Sequence, residues 1–291
     1  MEMRAISGKK PPPYTRASES ACRAKRAAGT AVTDFFSQYQ VERGRIVSGS
    51  ITARDLLPQP HLEPRVTPFS ALHDTWQFSR LVHAMLRQGE PPIRTIIDLG
   101  AGSSIPTIYA LLCTEGCHVR VQAIDTDEAA LGVSRSNVEA SGLSDRYEFI
   151  HAEMIAWLST QSLERYTGVV ANPPYLPVPS GTTDPRYAPV DGGEDGTKYL
   201  AHILQHPMPI GTYLALEWCS LSHPERVIAL IEQGFDVVHV QANDIDRGIY
   251  TEDPHLKPHL LRQHKRGEAA LIINEDGSLG WTFIGTVLRK R

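Results

Sequence analysis

From Arg94 to Asp244 the chain alternates between short apolar runs and amphipathic runs of helical length, with Gly, Pro, Asn or Asp at most junctions. RTIIDLGAG reads as a strand running into a turn, SIPTIYALLCTEG as a helix, HVRVQAID as a strand and DEAALGVSRSNVEASG as a helix. YEFIHAE, MIAWLSTQSL, TGVVANPPY, GTKYLAHILQHP, GTYLALEW, PERVIALIEQG and FDVVHVQAND continue the alternation. Strands this apolar must be covered on both faces. A helix between consecutive strands supplies that cover and returns the chain for parallel pairing. The expected fold is therefore α/β, a doubly wound and mostly parallel sheet of seven strands. GEAALIINEDGSLGWTFIGTVLRK predicts a closing hairpin that turns at Glu275-Asp276-Gly277 and adds an antiparallel edge.

The rest of the chain is organised differently. Residues 1–30 mix Pro, Ser and basic side chains without apolar periodicity and read as a tail. Residues 31–90 read as an N-terminal helical segment, a recognition element or lid, with helix-like stretches in AVTDFFSQYQVERG and TARDLL. In DTWQFSRLVHAMLRQG, Trp76, Phe78, Leu81, Val82, Met85 and Leu86 share one apolar helical face, with Asp74 or Thr75 as its N-cap. Residues 91–291 form the main domain. Hydrophobic residues make up 41% of the chain, enough for a sizeable core, and the net charge of -4 argues against a protein that coats nucleic acid or an anionic membrane. Cys22, Cys113, Cys117 and Cys219 form no C-x-x-C pair and follow no secretory segment, which predicts a reduced, cytoplasmic setting without a membrane partner. Asp253, His255, His259 and His264 are spaced irregularly across prolines, so no metal site is assigned to them.

Ligands of open α/β sheets bind at the carboxyl ends of the strands. Gly100 and Gly102 follow the first strand, where they permit a tight turn and close approach of a ligand to the backbone. Asp98 at that strand end repels a pyrophosphate and suits a ligand that is cationic or donates hydrogen bonds. Asp125 ends the second strand, where an acid can hold ribose hydroxyls. Glu153 ends the third. Each acid taken alone can equally be a helix N-cap.

The fourth strand ends in Asn172-Pro173-Pro174-Tyr175. Prolines stop the ladder, so these residues sit at the strand mouth. Asn172 supplies a side-chain carbonyl, Pro173 a backbone carbonyl with no competing N–H, and Tyr175 a flat face. Acceptors placed around an –NH2 group expose the lone pair of a weakly nucleophilic nitrogen.

These residues together resemble the class I, Rossmann-like S-adenosylmethionine-dependent methyltransferases, in particular the HemK-type protein-(glutamine-N5) methyltransferases. The likeness runs over roughly residues 60–245. It includes EPRVTPFSALHDT upstream and DPRYAPVDGGEDGTKYLAHIL downstream of the Asn-Pro-Pro-Tyr motif. The resemblance implies S-adenosylmethionine as cofactor and S-adenosylhomocysteine as product. Asp98, Gly100, Ala101, Gly102, Asp125, Thr126, Glu153 and Asn172 are then the cofactor-binding candidates. Asn172, Pro173 and Tyr175 are the catalytic candidates, and Asn172, Pro174 and Tyr175 face the acceptor. The chain departs from the family pattern at Ser104, which replaces the third glycine of the turn, and at Val190-Asp191, which replaces an apolar pair. The implied acceptor is a glutamine amide of a protein of the release-factor type. A small-molecule amine or amide, adenine in nucleic acid, and a non-catalytic partner-binding subunit are the alternatives.

Overall fold

The computed structural model describes residues 28–45, 56–58, 63–66, 72–90 and 92–291. The tail expected over residues 1–30 and the helix expected in TARDLL lie largely outside them. The helices are α1 (Ala28–Ser37), α2 (Leu72–Gln88), α3 (Ile105–Cys113), α4 (Glu128–Ala140), α5 (Met154–Ser159), α6 (Lys198–Gln205), α7 (Pro224–Gly234) and α8 (Lys257–Arg266). The strands are β1 (Val41–Arg45), β2 (Thr95–Leu99), β3 (Arg120–Asp125), β4 (Tyr147–His151), β5 (Thr167–Ala171), β6 (Tyr213–Cys219), β7 (Phe235–Ile245), β8 (Ile272–Ile273) and β9 (Leu279–Lys290).

One nine-stranded sheet runs β1-β7-β9-β6-β5-β2-β3-β4, with β8 paired to β9. The expected α/β sandwich with a mostly parallel sheet is present. Two strands exceed the expected seven. VERG, expected to continue a helix, is instead the parallel edge strand β1 on β7; its charged side chains, Glu42 and Arg43, are exposed and suit a sheet edge. The hairpin forms, with Gly277 at φ 77° in its turn. It does not lie at an edge, however. β9 inserts between β6 and β7, antiparallel to both. Its side chains are buried from Leu279 to Leu288, which only an interior strand requires.

Two apolar layers sandwich the sheet. On one face Phe35 of α1, Leu158 of α5, Leu200 of α6 and Val227 of α7 pack around Leu216 and Trp218. Trp218 is fully buried and meets Phe35 edge-on at 5.9 Å. On the other face Leu81 and Met85 of α2, Ile108 of α3 and Val138 of α4 cover Ile96, Val170 and Ala215. β5 is buried at every residue, as a strand covered on both sides must be.

The position of the site follows from strand order. β2 pairs with β3 on one side and β5 on the other, so the order reverses between β2 and β5. Connections leave such a pair in opposite directions and open a crevice above their carboxyl ends. Leu99 is level with Ala171 in that register. The Gly-rich turn and the Asn-Pro-Pro-Tyr segment therefore leave adjacent strands at the same height.

Candidate active site at the strand mouths

The Gly-rich turn is left-handed at three residues: Gly100 at φ 75°, Gly102 at φ 53° and Ser104 at φ 54°. Gly100 and Ala101 donate their N–H groups to Ile124 O, both at 2.9 Å, which folds the turn against β3. A Cβ at Gly102 would meet nothing within 4 Å, so the chain leaves open space beside it. Ser104 stands where the family pattern has glycine and adopts the glycine-like conformation all the same. Its buried hydroxyl is held by Ser134 Oγ at 2.5 Å, which offsets the strain of a Cβ there.

The acids divide into different roles. Asp125 accepts from Gly102 N at 2.8 Å with one oxygen and from Asp127 N at 2.9 Å with the other. Each oxygen retains a lone pair for a ligand hydroxyl. The N-cap of α4 is Asp127, not Asp125. Thr126, between them, is exposed, and its carbonyl meets His151 Nε2 at 3.0 Å. Glu153 is the N-cap of α5 and accepts from Ala156 N at 2.7 Å, so this acid has a structural task besides any ligand.

Asp98 is 2% exposed and accepts from the Thr107 hydroxyl at 3.1 Å. Burial, with a smaller push from Asp125, raises its pKa to about 7. The folded chain thus keeps a proton that the unfolded chain loses near pH 4. Its contribution to stability is present below that pH and is lost as pH rises to about 7. Asp98→Asn retains an acceptor for Thr107 and escapes this loss. Unfolding melts without added ligand should show Asp98→Asn gaining about 2–3 kcal/mol over wild type between pH 5 and pH 8. A difference that stays flat with pH would mean that Asp98 is ionised throughout.

The Asn-Pro-Pro-Tyr segment is a rigid platform. Asn172 is half-buried at the end of β5, Pro173 is buried and Pro174 half-buried. Tyr175 is 8% exposed, with its ring against Phe283 at 5.8 Å. Ser222 Oγ donates to Tyr175 O at 2.7 Å. The glycines downstream have a packing reason. A Cβ at Gly192 would sit 2.7 Å from Tyr175 Cα, and one at Gly196 would strike Tyr175 O. Leu176 and Val190 through Gly192 exchange backbone hydrogen bonds. Val190 itself is buried, and Asp191 Oδ1 accepts from Gly193 N at 2.8 Å. The Val190-Asp191 pair therefore does what an apolar pair does on one side and closes a turn on the other. His259 and Gln263 of α8 both reach Glu194 O at 2.8 Å, and His264 meets Ala269 O at 3.0 Å. The His-rich stretch thus holds the loop behind the platform.

Three contributors were not anticipated from the sequence. Asp74, expected as an N-cap, lies inside the first turn of α2, half-buried and close enough to the Tyr175 phenol to act on it electrostatically. Desolvation of its carboxyl raises its pKa to about 7. Asn137 of α4 donates to Ser103 O at 3.0 Å and Arg65 O at 2.7 Å and accepts from Arg65 N at 2.7 Å, tying the Gly-rich turn to the Pro-Arg segment. Glu217 lies buried in β6. A lone acid inside LALEW was the sequence signal for it.

Residues 78–180 match the family model for the methyltransferase small domain. The chain is 32% identical over 133 residues to a release factor glutamine methyltransferase of Gloeobacter violaceus, covering 42% of this chain and 44% of that protein. It is 34% identical over 166 residues to one of Moorella thermoacetica, covering 54% of this chain and 56% of the relative. It is also 32% identical over 85 residues to the tRNA1(Val) (adenine(37)-N6)-methyltransferase of Pectobacterium carotovorum, covering 29% of this chain and 34% of that protein. The chain thus spans 34% to 56% of the length of these relatives. Among the described residues no helix is long and apolar enough to cross a membrane. The matched segment runs from α2 through the Gly-rich turn to the Asn-Pro-Pro-Tyr platform, so the part of the chain that is similar to the methyltransferase small domain is the part that carries the candidate site.

Proposed function

We propose that this protein transfers a methyl group from S-adenosylmethionine to a nitrogen held by Asn172, and that the acceptor is a glutamine side-chain amide of a protein, as in release factors. The observation that carries the reading is the level pairing of Leu99 with Ala171 at the switch point. It sets the ligand turn of Gly100 to Gly102 beside Asn172-Pro173-Pro174-Tyr175 with one strand spacing between them.

The residues at the turn fit the cofactor. Gly102 leaves open space, and Asp125 keeps free lone pairs beside it. Asp98, Gly100, Ala101, Gly102, Asp125, Thr126 and Glu153 would hold the cofactor, which supplies an electrophilic methyl. Asn172 Oδ1 and the Pro173 carbonyl accept the two N–H bonds of the acceptor amide. This turns the nitrogen lone pair toward the turn and fixes its distance, an orientation effect worth several kcal/mol. Electrostatic preorganisation adds to it, because the platform is already locked by Ser222, Gly192 and Gly196. No side chain need remove a proton first, since the methylated nitrogen is acidic and loses its proton afterwards.

A second reading, adenine-N6 methylation of RNA, takes support from the similarity to tRNA1(Val) (adenine(37)-N6)-methyltransferases. The near-complete burial of Tyr175 against Phe283 favours the smaller amide over a purine that stacks. Transfer of labelled methyl to a release factor, with its Gln→Ala variant as control, tests the choice. Label on the wild-type factor alone is expected. Label on tRNA and none on the factor would replace the amide reading with the adenine one.

A further inference from the structure

Glu217 is the one charged residue of β6. It is fully buried, and among the described residues neither carboxyl oxygen has a hydrogen-bond partner. A buried carboxyl without partners is among the costliest groups a fold can carry. Other buried or half-buried acids of this chain are satisfied: Asp98 by Thr107, and Asp195 by Thr197 and Arg226. Packing alone gives no reason for an acid at position 217.

Its position does give one. Ala171 is level with Leu216 in the parallel register, so Asn172 and Glu217 come next on neighbouring paths, about 5 Å apart along the backbone. Val170 and Ala215 point into the layer under α2, whereas Ala171 and Leu216 point into the opposite layer. The alternation therefore brings Asn172 and Glu217 to the α2 side together. On the neighbouring β9, Glu217 pairs with Gly285, where Gln241 of β7 and Leu81 of α2 already occupy the place of a side chain. Gln241 of β7 lies over that glycine, and a Cβ there would be 3.0 Å from it. Asp74 of α2, Cys219 of β6, Tyr250 and Glu217 itself all act electrostatically on the Tyr175 phenol. The orphan carboxyl thus belongs to the group around the platform.

We propose that Glu217 is a specificity residue of the acceptor site, donating its carboxyl O–H to the carbonyl oxygen of a primary amide whose –NH2 is held by Asn172. The inference rests on the N-methyltransferase reading of this site and adds how the acceptor is chosen. A primary amide presents two N–H donors and one carbonyl acceptor in a plane. Asn172 Oδ1 and Pro173 C=O answer the donors. The carbonyl is left for Glu217 to answer. Glu217 can do so only while it holds its proton. Burial first, and the Asp74 carboxyl second, hold it well above the usual carboxylate range. Among the described residues the groups facing it offer no cation: Asp74 from α2, Gly285 from β9, Gln241 from β7, Cys219 from its own strand and the phenols of Tyr175 and Tyr250. An alkyl amine, lacking a carbonyl, would leave Glu217 unpartnered and be rejected for that reason. The role is recognition; the nitrogen is oriented by Asn172.

Infrared difference spectroscopy on the full chain with S-adenosylhomocysteine tests this. A protonated-carboxyl band is expected at pH 7. It should move on labelling with 13C-glutamate, which separates it from the carboxyls of Asp74 and Asp98, and vanish in Glu217→Gln. Adding N-acetylglutamine methylamide should shift the band to lower wavenumber, whereas butylamine and adenosine should not. No glutamate band at pH 7, no response to the amide, or a response to adenosine in its place would each overturn the proposal. In turnover, Glu217→Leu should raise KM for a glutamine-bearing protein roughly 10- to 100-fold, while Glu217→Gln, which keeps a donor, stays much closer to wild type. An amide-responsive Glu217 in a protein that methylates no release factor would keep this subsite and remove only the release-factor reading.

Discussion

Asn172→Ala should lower methyl transfer roughly 100- to 1,000-fold while changing S-adenosylmethionine affinity less than about fivefold. The side chain sits half-buried beyond the end of β5. If it aims the acceptor nitrogen, its removal costs an interaction realised only as the methyl moves, and kcat falls with kcat/KM. The other cofactor candidates lie at or just beyond the carboxyl ends of β2, β3 and β4 and are untouched. Calorimetric titration with the cofactor and single-turnover transfer to the acceptor separate the two quantities. Cofactor affinity that collapses with turnover would make Asn172 a cofactor residue; unchanged turnover would remove it from the chemistry.

Gly196→Ala is the second large effect, and it acts on the platform. Gly196 has φ 75°, and its missing Cβ faces Tyr175 O, with Ser222 Cα 3.0 Å away. Both neighbours are backbone, so neither can swing aside. Left-handed strain of about 1 kcal/mol adds to overpacking of roughly 1–3 kcal/mol. The shift would also break the buried Ser222–Tyr175 hydrogen bond, which spans 2.7 Å. A loss of about 3 kcal/mol in unfolding melts is expected, together with lost turnover. Gly181→Ala is the control: its φ is 83°, but nothing lies within 4 Å of the added Cβ. It should lose only the strain, about 1 kcal/mol, and keep its activity. Equal losses in the two variants would mean that Gly196 matters only for its backbone angle.

Much of this was legible in the sequence because it is local. Burial on both faces gives apolar strands, and one-sided burial gives helical periodicity; these fixed the elements from β2 to β7. Gly100 and Gly102 mark a turn that a side chain obstructs, and the prolines of the motif mark a strand end. VERG forms a strand where the sequence suggests a helix end, because the five residues of β1 cannot by themselves distinguish a frayed helix end from an edge strand.

What the chain's order alone determined is the parallel α/β array, its acid-tipped strands and the place of Asn172 at a strand mouth. Tertiary structure alone decided that β9 enters the sheet interior, that Asp74 comes close to the Tyr175 phenol and that Glu217 lies orphaned beside Asn172. An acid in the first turn of a helix looks the same in sequence whether it faces water or a phenol, since the helix dipole favours it in both cases. Only the packing of α2 on the sheet tells the two apart, as only the register of β5, β6 and β9, set by pairing between distant segments, places Glu217.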